Sequence, residues 1–599
     1  MSYIRGICNF CGTGCGNLIE IKENMVTGIF PDASHPFSKG KLCIRGWHLH
    51  ELLSTEDRLT IPVINNRKNP TDTSYSVAIR NLYTELSKFT PNEIAFVGSP
   101  RAYNEDNYLF MKLARLIFNT NNISITSDSG FQESASVLYE GTGSPYSKVS
   151  LEDLTNSDLI IIVGSDITKL NPIIGSEVYI ARKNGTELLT ISNKKTQLAR
   201  LAHKHIQPNP GSIKACIAAI AKTIVTNEAY DKQYIQTNTN GFEGFANFLG
   251  SINLSTIEEK TGIPTDTFLE IGKKLLNAKK PIIVYPSGIS GLDKDTISYL
   301  YNLLILTGNI GVTGSGLLQT TGIANITGSY DMGLSPDYYP GFITVSDENA
   351  GHFKDIFNAK LPDIPGKKLY DEIGSEKNNI KAIVVIDHDE EIIQFKEQLK
   401  DLDFIAYIGS YTNTFSELAD VIIPVTNYAE MEGTVTNTEG RIQHNSQKIK
   451  PSGKLMTPAE VYCEIAKQND KHWTYKSRED IFNEIKEAIP IYNHTSYPEL
   501  DNHSGYNYVI DAKVETNETY KFVNFVTSLE VPEVTSEFNL ACMIGMPHHF
   551  WHQNNIMKKT FIPKRDYNAL LLLYPKGFIE INSEDAKDIG IKDKWKALV

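Results

Sequence analysis

Cys8, Cys11 and Cys15 stand within one short loop, "ICNFCGTGCG", and Cys43 follows in "GKLCIRG", which gives the spacing C-x2-C-x3-C-x27-C. Four thiolates at such spacing enclose either a single zinc ion or a cubane [4Fe-4S] cluster. Zinc ribbons favour two C-x2-C pairs that grip the ion from both sides. A grouping of three plus one suits a cubane, whose corner irons are reached from one tight loop and a returning segment, with Gly12, Gly14 and Gly16 letting the backbone come close. Zinc stays as the alternative. Cys216, Cys463 and Cys542 lie in apolar contexts and read as buried small hydrophobes.

Two other groups of chemically capable residues carry less. His548 and His552 have the i, i+4 spacing of a helical zinc pair, but no third ligand lies nearby and Pro547 favours a turn, so they read as a packed surface. The acidic run "DHDEE" (387–391) reads as the start of a solvated helix. With 599 residues and a formal charge of -13, the chain lacks the basic surface of a nucleic-acid binder. Its apolar runs are too short to span a bilayer, and "MSYIRGICNF" has no signal-peptide order, so a cytoplasmic protein is expected.

The elements that position these residues follow from hydrophobic patterning. Continuous apolar runs at "EIAFVG" (93–98), "DLIIIVG" (158–164), "ELLTIS" (187–192), "PIIVYPSG" (281–288), "AIVVID" (382–387) and "DFIAYIG" (403–409) read as strands. Helical stretches such as "DNYLFMKLARLIF" and "KACIAAIAKTIV" lie between them. This alternation indicates an α/β chain with doubly wound, mostly parallel sheets covered on both faces. Ligands of such sheets lie at the carboxyl ends of the strands, at turns such as "VGSDITKLNP", "ISNKKTQ", "YPSGISG" and "IDHDEE". No G-x-G-x-x-G follows a strand and no Walker A sequence is present. The glycine-rich run 306–333 reads as a long loop packed around something, since Leu, Ile and Tyr are interleaved with the glycines.

From residue 5 onward the chain resembles the molybdopterin oxidoreductase family, and within it the catalytic subunits of formate dehydrogenases. The cysteine loop with "KGKLCIRG" is followed in order by "DLIIIVGSDITKLNP", "KNGTELLTISNKKTQLARLAHKHI", "NPGSIKA", "LTGNIGVTGSG", "GIANITGSYDMG", "YPG" and "LADVIIPVTNYAEMEGTVTNTEGRIQ". The resemblance implies a [4Fe-4S] cluster on Cys8, Cys11, Cys15 and Cys43, beside a bis(molybdopterin guanine dinucleotide) carrying molybdenum or tungsten. It implies that Arg45 lies between cluster and pterin, where a permanent cation stabilises an electron in transit. Gly164, Ser165, Asp166, Ser192, Lys194, Gly211, Ser212, Gly288, Asn325, Gly328 and Asp331 would contact the dinucleotides, supported by Gly433, Thr434, Asn437, Glu439 and Arg441. The family's usual Asp-Pro-Arg triplet is Ser192-Asn193-Lys194 here, which removes a carboxylate and a bidentate fork. The implied organisation is a cluster domain (1–58), an α/β body of two interleaved domains (59–520) and the start of a C-terminal dinucleotide-binding β-barrel (521–599).

One part of the family pattern is missing. Formate dehydrogenases carry a Cys or selenocysteine metal ligand, then a His, with an Arg two positions before the ligand. Counted back from "DLIIIVG", these positions fall on Gly130, Phe131 and Asp128, and a second family Arg falls on Thr321. Formate must be held by cationic donors, and each lost charge-assisted bond costs roughly 1.5 to 3 kcal/mol. Formate oxidation is therefore not expected. Either Asp128 or Ser129 ligates the metal and another substrate is used, or the chain keeps fold and cluster as an electron relay or scaffold, like the large subunit of NADH dehydrogenase. Without a flavin or NAD motif, electrons must pass through a partner subunit bearing further iron-sulfur clusters or flavin, in a hetero-oligomer.

Overall fold

In the computed structural model, residues 2–125, 130–164, 166–287, 292–375, 377–386, 396–503, 505–511, 516–531, 540, 579–593 and 595 are described. The chain opens with a three-stranded antiparallel sheet of Ser2–Ile7, Gly16–Lys22 and Met25–Pro31. Ile7 pairs with Gly16, so the eight residues between them form a closed loop that carries Cys8, Cys11 and Cys15. Cys43 precedes the short Ile44–Trp47 helix.

Five parallel strands form the first body sheet, in the order Lys204–Ile206, Glu187–Ile191, Leu159–Val163, Pro281–Pro286 and Gly316–Thr320. Every residue of Leu159–Val163 and Pro281–Pro286 is buried, as expected of strands covered on both faces. From Leu159–Val163 the chain first builds outward on one side, then returns to build on the other. The boundary between Leu159–Val163 and Pro281–Pro286 is therefore a topological switch point, where the turns diverge and leave a crevice.

The second sheet has seven strands, ordered Thr71–Asp72, Val63–Ile64, Val421–Pro424, Phe404–Gly409, Ala382–Ile386, Ile94–Gly98 and Ile123–Ile125. At one end the two short strands pair antiparallel, Val63–Ile64 with both its neighbours, and the other five strands are parallel. The first sheet is inserted between Ile123–Ile125 and Ala382–Ile386, so the two α/β units are interleaved in sequence.

A hairpin of Gly433–Thr436 and Arg441–Asn445 reaches back to the N-terminal sheet, where the Asn445 side chain exchanges both its bonds with Ile7, at 2.9 and 3.0 Å. One apolar core also joins the two regions, with Phe10, Ile19, Phe37 and Leu49 packed in the same cluster as Ile160, Ile174 and Ile282. The cysteine loop is thus seated on the first body sheet, not on a tether.

The glycine-rich run differs from a simple loop. It contains the Gly316–Thr320 strand and the Ile326–Asp331 helix, with Gly308, Gly311, Gly314 and Gly333 at positive φ turning the chain before and after them. The expected C-terminal β-barrel falls mostly outside the described residues, which show the Ser583–Asp588 helix and no barrel. Among the described residues, no helix is long and apolar enough to cross a membrane.

Candidate functional site

The cysteine loop is closed by Cys8 N–H donating to Cys15 O at 2.8 Å and Gly14 N–H to Cys11 O at 3.3 Å. It is pinned to the body from two sides. Gly12 N–H donates to Thr321 O at 3.0 Å, and Gly12 O accepts from Thr438 N–H at 2.8 Å. Glycine is required at this approach, because a Cβ on Gly12 would stand 1.7 Å from Thr321 Oγ1 and one on Gly14 (φ +63°) 2.1 Å from Gln443 Oε1.

Cys8, Cys11 and Cys15 are buried and Cys43 is half-buried. Burial, then the neighbouring cysteines, pushes the Cys8 and Cys15 thiols up. Burial opposes ionisation of Cys43 too, but the Arg45 guanidinium and backbone N–H groups outweigh it and hold that thiol down. Cys8, Cys11, Cys15 and Cys43 lie near enough to feel one another's charge, and such a set of four thiols, three from one tight loop, fits a [4Fe-4S] cluster.

Arg45 is buried and bridges outward from this cage. Its guanidinium interacts with Cys43, lies 4.8 Å above the Phe10 ring, and donates from Nη2 to Leu170 O at 2.7 Å. Leu170 ends the turn that follows Leu159–Val163, so one side chain connects a cysteine to the switch-point crevice. Arg101 approaches the same ring at 5.2 Å and donates to Phe10 O at 3.1 Å and Asn9 O at 3.4 Å.

The crevice itself is lined by the turns after successive strands. Gly164 (φ +93°) donates to Ile191 O at 2.9 Å, and the Asp166 carboxylate accepts from Thr168 N–H at 3.1 Å and Gln197 N–H at 3.1 Å. Ser192 Oγ donates to Lys194 O at 2.7 Å, and Lys194 is ion-paired with Glu580. Gly211 takes φ +76°, and Ser212 Oγ donates to Asn209 O at 2.6 Å. Ser165 and Gly288 lie outside the described residues. Ser287 Oγ, Thr320 Oγ1 and Asn171 Oδ1 are buried at this edge without a hydrogen-bond partner among the described residues. Buried polar atoms left open at a switch point suit a polar ligand such as a dinucleotide.

A second set of expected site residues is engaged within the protein. Asn325 donates to Ala102 O and Asn104 Oδ1, both at 2.9 Å, and accepts from Thr436 N–H at 2.7 Å. A Cβ on Gly328 would stand 2.1 Å from Asn104 Oδ1. Asp331 is buried and accepts from Tyr492 and Tyr146 at 2.7 Å and Tyr508 at 2.9 Å; burial pushes its carboxyl up to about 6 against those three bonds. Thr434 donates twice to Glu105, and Gly433 lies against the Tyr103 ring. Asn437 Oδ1 accepts from the N–H groups of Glu439 and Arg441, whose side chains pair at 2.8 Å. These residues brace the hairpin and the glycine-rich segment against the cysteine loop.

Comparison with known proteins places this geometry. The profile of the molybdopterin oxidoreductase family matches residues 72–468, and that of the molybdopterin oxidoreductase Fe4S4 domain matches residues 1–55. The chain belongs to the molybdopterin oxidoreductase family. The F420-dependent formate dehydrogenase subunit alpha of Methanocaldococcus jannaschii is 28% identical over 614 residues, covering 98% of this chain and 90% of that protein. The F420-dependent formate dehydrogenase 1 subunit alpha of Methanococcus maripaludis is 27% identical over 620 residues, covering 100% and 91%. Among solved structures, acetylene hydratase from Pelobacter acetylenicus matches with a TM-score of 0.66 at 15% identity, over 84% of this chain and 74% of that one, a likeness of fold. The family assignment makes a molybdopterin and a [4Fe-4S] cluster this chain's cofactors.

Of the positions that the resemblance assigns to metal and substrate, Gly130, Phe131 and Thr321 are described, and Phe131 is packed into an aromatic part of the core. Gly130 (φ +88°) caps the Phe131–Thr142 helix, and its carbonyl accepts from Gln319 Nε2 at 2.7 Å. Phe131 is stacked on Tyr330 at 5.2 Å, and Tyr330 on Phe342 at 6.1 Å. Thr321 is fully buried, its hydroxyl bonded to Ile323 O at 3.2 Å. Asp128, Ser129, "DHDEE", His548, His552 and Cys542 lie outside the described residues. Sequence reasoning missed Asn171, Arg101, Ser287 and Thr320. Asn171 and Ser287 left a trace, as members of the turns "VGSDITKLNP" and "YPSGISG".

Proposed function

We propose that this chain is the iron-sulfur subunit of a molybdopterin oxidoreductase that passes electrons between a bis(molybdopterin guanine dinucleotide) site with molybdenum or tungsten and a [4Fe-4S] cluster, and that formate is not its substrate. The observation that carries this reading is the Arg45 bridge from Cys43 to Leu170 O at the switch-point crevice. When bound, the metal-pterin group supplies two-electron chemistry and the cluster supplies single-electron steps.

The chain's own residues have divided roles. Cys8, Cys11, Cys15 and Cys43 hold the cluster. Arg45 places a buried positive charge between the two sites, which favours an arriving electron and cannot deprotonate. Gly164, Ser165, Asp166, Ser192, Lys194, Gly211, Ser212 and Gly288 line the dinucleotide edge, while Asn325, Gly328, Asp331 and Asn437 keep its frame rigid. Asp128 or Ser129, outside the described residues, would offer an oxygen to the metal. The Phe131, Tyr330 and Phe342 rings exclude water and present no cation, which disfavours a small anion and favours a neutral or apolar substrate.

Electrons leave through a partner subunit with iron-sulfur clusters or flavin; the similar methanogen proteins are themselves named alpha subunits. The domains proposed are 1–58, 59–520 and 521–599. A second reading, a relay or scaffold that has lost turnover, draws on Gly130 and Phe131 at the expected ligand and His positions. Elemental and pterin analysis of purified protein separates the two. Molybdenum or tungsten with two pterins per chain supports the oxidoreductase; iron alone supports the relay.

A further inference from the structure

Asn171 occupies the N-cap position of the Pro172–Lys183 helix. An asparagine there ordinarily accepts an N–H from the first helical turn. This one makes no side-chain cap. Its carboxamide is turned elsewhere, with Nδ2 donating to Thr13 Oγ1 at 3.3 Å and to Thr321 O at 2.9 Å. Thr13 Oγ1 in turn lies 3.4 Å from Cys11 Sγ. Two side chains therefore connect the carboxyl edge of the first sheet to a cluster cysteine, on a route separate from Arg45.

The other half of the carboxamide is unused. Asn171 is wholly inaccessible, and its Oδ1 has no partner among the described residues. A buried acceptor that neither caps its helix nor meets another donor is costly, and such groups in folded proteins call for a specific explanation. Its surroundings indicate one. Leu170 O, one residue earlier, holds Arg45, and Thr321 O also accepts from Gly12, so Asn171 stands where cluster loop, glycine-rich segment and crevice meet. The turns expected to hold the guanine ends, at Ser192 and Ser212, follow strands farther out on the same side of the switch point, whereas the Asn171 turn follows the strand beside it and lies against the cysteine loop. The part of the cofactor left for Asn171 is the pterin ring system, whose edge carries N–H donors.

We propose that Asn171 recognises the pterin and couples it to the cluster. Its Oδ1 accepts an N–H of the pterin, while Nδ2 occupies a lone pair of Thr13 Oγ1 and thereby directs the Thr13 hydroxyl proton toward the Cys11 thiolate. A donor on a cluster sulfur withdraws charge and raises the reduction potential. This assignment rests on the cofactor reading given above.

The test uses the purified holoenzyme and reads iron content, pterin released by acid oxidation, and the cluster midpoint potential. Asn171→Leu is expected to keep its iron and lose about tenfold in pterin retention, the loss that one neutral hydrogen bond commands. Asn171→Asp, which keeps an acceptor, stays closer to wild type in pterin. Thr13→Val keeps its pterin but moves the cluster to lower potential, and Thr13→Ser restores it, which a merely structural role for the hydroxyl would not do. Wild-type pterin content in Asn171→Leu, or a wild-type potential in Thr13→Val, overturns the assignment. Should Asn171→Leu lose iron as well, an Asp variant with full iron and as little pterin as Leu would overturn it. Wild-type protein that takes up no pterin at all defeats the functional reading together with this one.

Discussion

The Gly316–Thr320 strand and the residue after it touch two regions built on opposite chemistry. At Thr321 the chain meets the cysteine loop, where Arg45 interacts with Cys43, Arg101 donates to the loop backbone, and Asn171 reaches Cys11 through Thr13. At Gln319, two residues earlier, it meets Gly130, whose neighbour Phe131 opens the stack with Tyr330 and Phe342. The first region holds a buried cation beside the cysteines of the family's Fe4S4 domain. The second packs aromatic bulk into the core and, among its described residues, offers no cationic side chain at positions 130, 131 or 321. On the proposed function, the scaffold would keep its route for electrons while its substrate side differs, because the two are fastened to neighbouring residues, Thr321 and Gln319.

The contrast is broken most sharply by substitutions at the cysteines. Cys11→Ala should lose nearly all iron and the iron-sulfur absorbance, whereas Phe131→Leu should leave both intact and cost about 1 kcal/mol in denaturant unfolding. Equal iron loss in the two variants would mean that the regions are not separate.

Next in size is a pair of opposite pH effects. Burial, with the charge of Arg441 added, drives His35 beside the cysteine loop down to about 4, from an ordinary 6.5. The stability it contributes is present above 6.5 and is lost as pH falls through 4, about 3 kcal/mol in all. Burial raises Asp331 to about 6 from 3.8. Its contribution is full below 3.8 and is lost as pH rises through 6, again about 3 kcal/mol. Urea unfolding at several pH values should show His35→Gln flattening the acid-side decline and Asp331→Asn the decline toward neutral pH. Slopes that change in the same sense would contradict the assignment of opposite roles.

A smaller effect sharpens the account of the aromatic stack. Gly130→Cys with Phe131→His supplies the family's ligand and His, yet should not confer formate turnover, since positions 128 and 321 still lack cations. The cysteine would also sit at φ +88°, at a cost of about 1 to 2 kcal/mol. Formate turnover by this variant would show that the missing arginines are dispensable.

Much of this was legible in the amino-acid order, for identifiable reasons. Strands such as Leu159–Val163 stood out because a strand buried on both faces is apolar at every position. The cysteine spacing was legible because three of the four thiols belong to one tight loop. Asn325 and Asp331 were legible as motif positions, but their internal bonds to Thr436 and to three tyrosines depend on segments more than 100 residues away, which no local pattern encodes. The strand within the glycine-rich run was hidden because "GLLQT" is short and flanked by turn residues. Asn171 was visible only as a residue of the turn before Pro172, since its significance lies in a side-chain oxygen without a partner among the described residues.

The central claim is that the electron route is intact while the grip on formate is gone. Protein with its iron, pterin and molybdenum or tungsten counted should be mixed anaerobically first with formate and then with dithionite while the iron-sulfur absorbance is followed. The account predicts no change with formate and full bleaching with dithionite. Bleaching by formate at a rate faster than a metal-free control would contradict it.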